Sequence, residues 1–485
     1  MLGKAKIIKG IFWVGLKSIA THFMGFITFL ILARLLSVED FGKVAIVYLF
    51  TELATHVAGM GFAEGLIQRY EYKNRQFCSA ICFVFFVSAV ISLFLFSVGL
   101  FFHIYAYKGD LESIPLLLSF TALALLFSPS SKCFEAKYRK SLNIQKIAKY
   151  ELFSIFVSAV VGVSLAFMGF GAWSLVFQTL TLNIVRFFSY FFTEVRSFEF
   201  NIDKKFIKSL SRFGLPTIGS KIMQYSSNKA AHGLLAILYD VYLLGIYSTG
   251  NKLMVVFKEQ FASLCGHIIF PVFSEQQTQP EQLVKSLFKT IQLSLIFSII
   301  IFSALSVFSD SIIIILFGEK WADSAKIFSI LAIAAIFNLQ ERIFTACLKS
   351  VGKTGLLFKV SIINLILSIS ILLLVINYGI VAIAYAQLLK VLLFCIILCK
   401  VTSNIIKINL QPLRLLYFKH LFFSLFLIYL VYLNLLDVDF VSFEKKLLLL
   451  FLSAFIYLVA TVLSDFNLKS FVFDSLRKIR ILGLR

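Results

Sequence analysis

The chain has 485 residues, of which 60% are hydrophobic and 15% charged, and its mean hydropathy is +0.92. A soluble chain holds about 45–50% apolar and about 25% charged residues, so the composition argues against a soluble enzyme. The formal net charge of +21 would fit a nucleic-acid binder, but in a membrane protein basic residues gather in cytoplasmic loops, and their distribution decides between the two.

Taken in chain order, fourteen apolar runs predict membrane-spanning helices, each near the ~20 residues that a bilayer requires. They are 11–33, 41–63, 79–102, 114–131, 151–170, 172–193, 214–238, 242–263, 287–308, 325–346, 357–376, 379–399, 418–435 and 447–464. The first follows Lys4, Lys6 and Lys9, is too long for a signal peptide and lacks a clear cleavage site, so it reads as an uncleaved span. Open sheets find no hydrogen-bond partners in lipid, and a barrel would alternate over ~10-residue segments, which these runs do not. The expected fold is all-α: a polytopic membrane protein with about fourteen transmembrane helices.

Lys and Arg set the orientation. Lys132, Lys137, Arg139, Lys140, Lys146 and Lys149 follow the fourth span, Arg196, Lys204, Lys205, Lys208 and Arg212 the sixth, and Lys400, Lys407, Arg414 and Lys419 the twelfth. The tail adds Lys469, Arg477, Lys478, Arg480 and Arg485, whereas the turns Gly169–Ala172, Tyr239–Val241 and Asn377–Gly379 carry no Lys or Arg. Both termini are therefore expected in the cytoplasm, and the charge is explained without a nucleic acid. The basic loops should also attract anionic headgroups of membrane lipids.

A weak repeat recurs at about 200 residues. Leu35-Leu36-Ser37-Val38-Glu39-Asp40-Phe41-Gly42 is echoed by Leu238-Tyr239-Asp240-Val241-Tyr242-Leu243-Leu244-Gly245, and Gly169-Phe170-Gly171 by Asn377-Tyr378-Gly379. Six spans per unit make the halves parallel, as in transporters that bind substrate between repeats. The expected organisation is an N-terminal six-helix lobe (1–200), a C-terminal six-helix lobe (201–405), and two additional helices with a basic tail (406–485).

Ionisable residues inside spans are functional by default, because charge in hydrocarbon is costly. In the seventh span Lys221, Tyr225, Asn228 and His232 share one helical face, with Lys229 beside them. Asn251, Lys252, Lys258 and Glu259 lie in the eighth span, Lys17 in the first with Thr21 and Thr28, Arg186 in the sixth, Arg342 in the tenth and Lys390 in the twelfth. The second span carries Glu52 and His56 one turn apart. The functional reading is a hydrated basic cavity for a phosphate or pyrophosphate, its binding residues Lys17, Arg186, Lys221, Tyr225, Asn228, Lys229, His232, Asn251 and Lys252. The competing reading is snorkelling to the interface, which suits Lys258, Arg342 and Lys359 best. Glu52 and His56 form either a polar clasp between helices or an ion-coupling pair.

Other motifs carry no chemistry. Gly352-Lys353-Thr354 ends like a phosphate-binding loop, but Cys347 stands where its first glycine belongs and no strand precedes it. The seven cysteines show no framework spacing, and the pairs Cys78–Cys82 and Cys395–Cys399 lack a His or carboxylate to complete a metal site. No metal, cofactor or catalytic residue is expected, and no nucleophile elbow or metalloprotease motif is present.

Leu32-Ala33-Arg34-Leu35-Leu36-Ser37-Val38-Glu39-Asp40-Phe41-Gly42, with Gly61-Phe62-Ala63-Glu64-Gly65-Leu66-Ile67-Gln68-Arg69, resembles the opening of the bacterial polysaccharide flippases of the Wzx type. Glu135-Ala136-Lys137-Tyr138-Arg139, Gly169-Phe170-Gly171-Ala172-Trp173-Ser174-Leu175, Leu244-Gly245-Ile246-Tyr247-Ser248, Phe270-Pro271-Val272-Phe273-Ser274 and Gly318-Glu319-Lys320-Trp321 are similar to that family too. The resemblance covers roughly residues 10–355. It implies the multidrug, lipid and polysaccharide exporter superfamily, an inner-membrane location, and a substrate that is an oligosaccharide on undecaprenyl pyrophosphate, for O-antigen, lipopolysaccharide or exopolysaccharide synthesis. It also implies the polysaccharide polymerase machinery as a partner. Many relatives carry an Asp in the seventh span where Ala231 stands here, which removes an anion and leaves the helix more basic. The rivals are a cation-coupled multidrug exporter, disfavoured by the few in-span carboxylates (Glu52, Glu259, Glu341), and a membrane glycan polymerase or glycosyltransferase, disfavoured by the short loop Ser309–Ser324.

Overall fold

The computed structural model describes residues 4–68, 72–105, 112–141, 143–195, 199, 202–264, 269–406, 410–424, 429 and 443–463. Side chains are not described for 4–19, 213, 215–217, 220, 260–264, 354, 410, 421, 423, 443–446 and 462–463. Among the described residues every regular element is a helix. The first lobe-length stretch holds α1 (Lys4–Leu35), α2 (Val38–Gly59), α3 (Phe62–Gln68), α4 (Asn74–Tyr105), α5 (Ser113–Ala122), α6 (Ala124–Lys140), α7 (Ile144–Phe167) and α8 (Ala172–Glu194). Then come α9 (Lys204–Leu238), α10 (Val241–Leu264), α11 (Phe270–Glu275), α12 (Pro280–Val307), α13 (Ser309–Phe317), α14 (Asp323–Ser350), α15 (Thr354–Val375), α16 (Ile380–Ile406), α17 (Leu410–Phe423) and α18 (Phe443–Leu463). Nine helical stretches among the described residues are long and apolar enough to cross a membrane, and Ala20–Leu35 and Leu447–Thr461 are shorter apolar ones. The chain is a multi-pass, all-α membrane protein. The thirteenth apolar run lies partly outside the described residues, as does Cys265.

Helix starts follow from capping. Ser37 Oγ accepts from Asp40 N while Asp40 Oδ2 accepts from Ser37 N, each at 3.1 Å, a reciprocal box that fixes the start of α2. Asp203 Oδ1 accepts from Phe206 N at 3.0 Å and caps α9. That hydrogen bond holds the Asp203 carboxyl below its usual range. The second apolar run is broken into α2 and α3 by Met60 (φ 45°) and Gly61 (φ 64°), both left-handed. A Cβ on Gly61 would lie 2.9 Å from the Gly214 backbone, so glycine on both sides lets α9 approach the break.

The chain packs as two compact units. The first comprises Met1–Val256, Leu316–Trp321 and Gly355–Ile383; the second comprises Phe257–Ile315, Ala322–Thr354 and Ala384–Arg485. In the first, Phe77, Phe134, Phe187, Tyr138 and Tyr190 form an aromatic core. Glu194 ends α8 there, accepting from Lys137 Nζ at 2.5 Å and Tyr138 Oη at 2.6 Å. The turn Gly318-Glu319-Lys320-Trp321 closes the end of α1: Trp321 Nε1 donates to Ala33 O at 2.9 Å, and Lys320 Nζ donates to Arg34 O at 2.9 Å and Leu36 O at 2.6 Å. A cation on the last carbonyls of a helix is favoured by both hydrogen bonding and the helix dipole. Partial burial lowers the Lys320 pKa. In the second unit α12 and α14 are joined by polar contacts, Ser306 Oγ to Ser329 Oγ at 2.7 Å and Gln340 Nε2 to Ser294 Oγ at 3.1 Å.

The repeated segments meet each other. A methyl group on Gly42 would overlap the carbonyl oxygen of Val241, and one on Gly245 would overlap that of Val38. The second echo sits beside them: Ala172 N donates to Asp40 Oδ1 at 2.9 Å, and Gly379 N donates to Tyr239 Oη at 3.2 Å while Tyr239 Oη donates to Ile376 O. Gly245→Ala is therefore expected to destabilise the protein by about 1–3 kcal/mol, the typical cost of overpacking, read as a lowered thermal unfolding midpoint in detergent. Gly233→Ala, which meets open space, is the control.

Candidate functional site: a polar cavity within the first unit

Three helical stretches line an open-sided cavity of about 380 Å³. From α2 come Tyr48, Thr51, Glu52, Thr55 and His56; from α5 and α6 come Thr121, Ser128 and Lys132; from α8 come Thr179, Asn183 and Arg186. The polar positions of α2 recur at helical spacing, so one face of the helix is hydrophilic and turns toward α8. Inside hydrocarbon a hydroxyl must find an acceptor, and these helices provide their own carbonyls. Thr51 donates to Val47 O at 3.1 Å, Thr55 to Thr51 O at 2.7 Å and Thr121 to Leu117 O at 2.7 Å, while Asn183 Nδ2 donates to Thr179 O at 2.8 Å. Tyr48 Oη and Thr179 Oγ1 lie 2.5 Å apart.

The stripe on α9 reaches the same region by ion pairing. Lys229 Nζ lies 3.1 Å from Glu52 Oε2, and Lys221 pairs with Glu64. Tyr225 Oη donates to Leu49 O at 2.9 Å, and its ring meets His56 edge-on with centroids 5.5 Å apart. The polar face expected on the seventh span and the Glu52–His56 pair expected on the second are thus brought together. Glu52 and His56 clasp α9 rather than each other.

The remaining expected residues are dispersed. His232 is buried, its ring edge-on to Tyr247 at 5.1 Å, with Nδ1 unpartnered. Asn228 is exposed and Asn251 half-buried. The Lys252 ammonium lies 4.4 Å from the centroid of the Phe29 ring, a cation–π contact. Lys17 lies on α1, outside the residues whose side chains are described. Arg342, read as a snorkelling residue, instead pairs with Glu259 at 2.9 Å in the second unit, and Lys390 is buried there. Lys132 corrects the sequence reading. The apolar run ends at 131, which places Lys132 in the loop after the fourth span, yet α6 continues to Lys140 and carries Lys132 on the cavity. Its one legible signal is position: Ser128 and Lys132 are four apart, on one face of that continuing helix.

A family model described as polysaccharide biosynthesis protein matches residues 31–326. The chain belongs to this family. Among relatives, the succinoglycan biosynthesis transport protein ExoT of Rhizobium meliloti (strain 1021) is 25% identical over 73% of this chain and 71% of its own length. The lipopolysaccharide biosynthesis protein WzxC of Escherichia coli (strain K12) is 21% identical over 74% of this chain and 73% of its own. Among solved structures, the lipid II flippase MurJ in an inward closed conformation superposes with a TM-score of 0.73 at 14% identity, over 92% of this chain and 98% of that one. At that identity the likeness establishes the fold.

The Glu52–Lys229 pair gives a test within this family member. Glu52→Gln and Lys229→Ala should each destabilise the purified protein more than additivity with the double variant allows. The expected coupling is about 0.2–1 kcal/mol, the range for half-exposed pairs. Strictly additive unfolding midpoints would mean that the two residues do not act as a pair.

Proposed function

We propose that this chain is a transporter, not an enzyme, that flips lipid-linked oligosaccharide repeat units across the bacterial inner membrane for surface polysaccharide synthesis. The observation that carries the reading is a polar cavity with two cations, Lys132 and Arg186, among membrane-crossing helices of a polysaccharide biosynthesis family member. A charge in hydrocarbon is retained where it meets a partner or a hydrated path. The named activities of the relatives, succinoglycan transport and lipopolysaccharide biosynthesis, support the same class of cargo. In this reading the carrier is undecaprenyl pyrophosphate, the phosphates and glycan enter the protein while the polyprenyl tail stays in lipid, and a polymerase receives the product.

Alternating access by two six-helix lobes, 1–200 and 201–405, belongs to the proposal, as do fourteen spans with both termini in the cytoplasm. Of the residues anticipated from sequence, Arg186 contacts the anion. Lys221, Tyr225, Lys229 and Glu52 hold α9 against α2 and α3, and Asn228, His232, Asn251, Lys252 and Lys17 serve the wider path for the glycan. Topology is tested with reporter fusions: Lys146 and Lys204 should read cytoplasmic and Asp323 periplasmic. A periplasmic signal at Lys204 would break the span count and the repeat together.

Deleting the gene should cause cytoplasm-facing polyprenyl-linked repeat units to accumulate, measured by extraction and mass spectrometry of lipid-linked intermediates. Loss of those intermediates would identify an enzyme of their synthesis and overturn the transporter reading.

A further inference from the structure

The cations at one end of the first unit divide by what holds them. Four at the corner between α6 and α7 are spent inside the protein. Lys137 pairs with Glu194 and Arg139 with Glu135. The Lys140 ammonium lies 4.1 Å from the Tyr72 ring centroid, and that of Lys146 lies 5.4 Å from the Tyr138 ring centroid. By contrast, Lys73 and Arg75 at the start of α4, and Lys204, Lys205, Lys208 and Arg212 at the start of α9, are exposed. None of these six forms an ion pair among the described residues.

The local sequence builds this patch. Phe206, Ile207 and Leu210 turn one side of α9 into the aromatic core, while Lys204, Lys208 and Arg212, at i, i+4 and i+8, line the outer side with Lys205 beside them. The starts of α4 and α9 are tied together: Asp203 N donates to Ser79 Oγ at 2.9 Å, and Arg75 is an electrostatic neighbour of the Asp203 carboxylate. That carboxylate is already spent on its cap, accepting from Phe206 N. Glu199, whose N–H donates to Cys78 Sγ, adds one more carboxylate, so the cations remain in excess. Position along the helices selects the partner. Arg212 lies just before the apolar run 214–238, and Arg75 just before 79–102. At ~1.5 Å per residue both lie about 3–6 Å outside the hydrocarbon, the depth of lipid headgroups.

We infer that this patch is a binding surface for anionic phospholipid headgroups of the adjoining leaflet, their phosphates on Lys204, Lys205, Lys208 and Arg212, with Lys73 and Arg75 at its edge. Clusters of about four to eight Lys or Arg directly outside a spanning helix attract anionic lipid in this way. The structure separates two basic loops that sequence leaves alike. One has neutralised its charges from within, and the other presents them to the membrane. The ligand is the lipid around the protein and not the transported cargo, so the surface is distinct from the polar cavity.

The test uses the full chain, delipidated in detergent and titrated with phosphatidylglycerol and with phosphatidylcholine of the same acyl chains, the bound lipid being counted by native mass spectrometry. Phosphatidylglycerol should bind about tenfold or more tightly. Lys208→Gln should lower that preference about fivefold, the effect of one cation at a charged headgroup layer, and the quadruple variant Lys204→Gln/Lys205→Gln/Lys208→Gln/Arg212→Gln should abolish it. Lys140→Gln/Lys146→Gln should leave it within about twofold, because those cations rest on aromatic rings. Raising salt from about 0.05 M to about 0.5 M should remove most of the preference, since exposed charges are screened. Thermal unfolding of each variant establishes that it is folded. The inference is overturned if wild type binds the two lipids equally, if the folded quadruple variant keeps the preference, or if Lys140→Gln/Lys146→Gln loses it as fully. A poly-glutamate peptide serves as a further probe. Its binding through the same four residues, by a wild type with no lipid preference, assigns the patch to an acidic protein partner and overturns the lipid reading. Gene deletion tests the transporter reading independently, so either claim can fail alone.

Discussion

Hydrocarbon supplies no hydrogen-bond partner, and that constraint shapes how most polar groups named here among the described residues are held. Three solutions recur. Hydroxyls bond backward to a carbonyl one turn earlier, as at Thr28, Thr51, Thr55 and Thr121. Hydroxyls and amides cross between helices, as Ser306 does to Ser329 and Gln340 to Ser294. Charges pair, as Lys229 does with Glu52 and Lys221 with Glu64. Lys132 and Arg186 follow none of the three, which sets them apart from the other charged side chains around them.

The same constraint explains why the fold was legible in the sequence. Apolar runs of bilayer length have few alternatives to a helix, and every one of the fourteen overlaps a described helix. The glycines of the two echoed segments were visible as an echo, and their contact supplies the physical reason, since any side chain would overlap a facing carbonyl. The Gly318-Glu319-Lys320-Trp321 motif was visible as a resemblance, and its reason is the end of α1 that it closes.

The candidate site was only half legible. Arg186, Glu52 and His56 stood out because they interrupt apolar runs, but partners far apart in sequence leave no periodic trace. Nothing local in the seventh span announces that Lys229 meets Glu52 or that Lys221 meets Glu64. Lys132 was hidden for a different reason. Hydropathy ends a span where polarity rises, whereas the backbone stays helical as long as its own hydrogen bonds can be made. A lysine just past the apolar run therefore reads as loop while sitting on a helix that still faces the cavity.

The close approach of Gly42 to Val241 and of Gly245 to Val38 pairs each segment with the other's matching position. That is the geometry of an isologous interface, the kind by which identical subunits dimerise, here formed within one polypeptide. Such a contact is self-complementary: each half presents both the donor surface and its recess. Displacing one segment against the other therefore disturbs both glycine–carbonyl contacts at once.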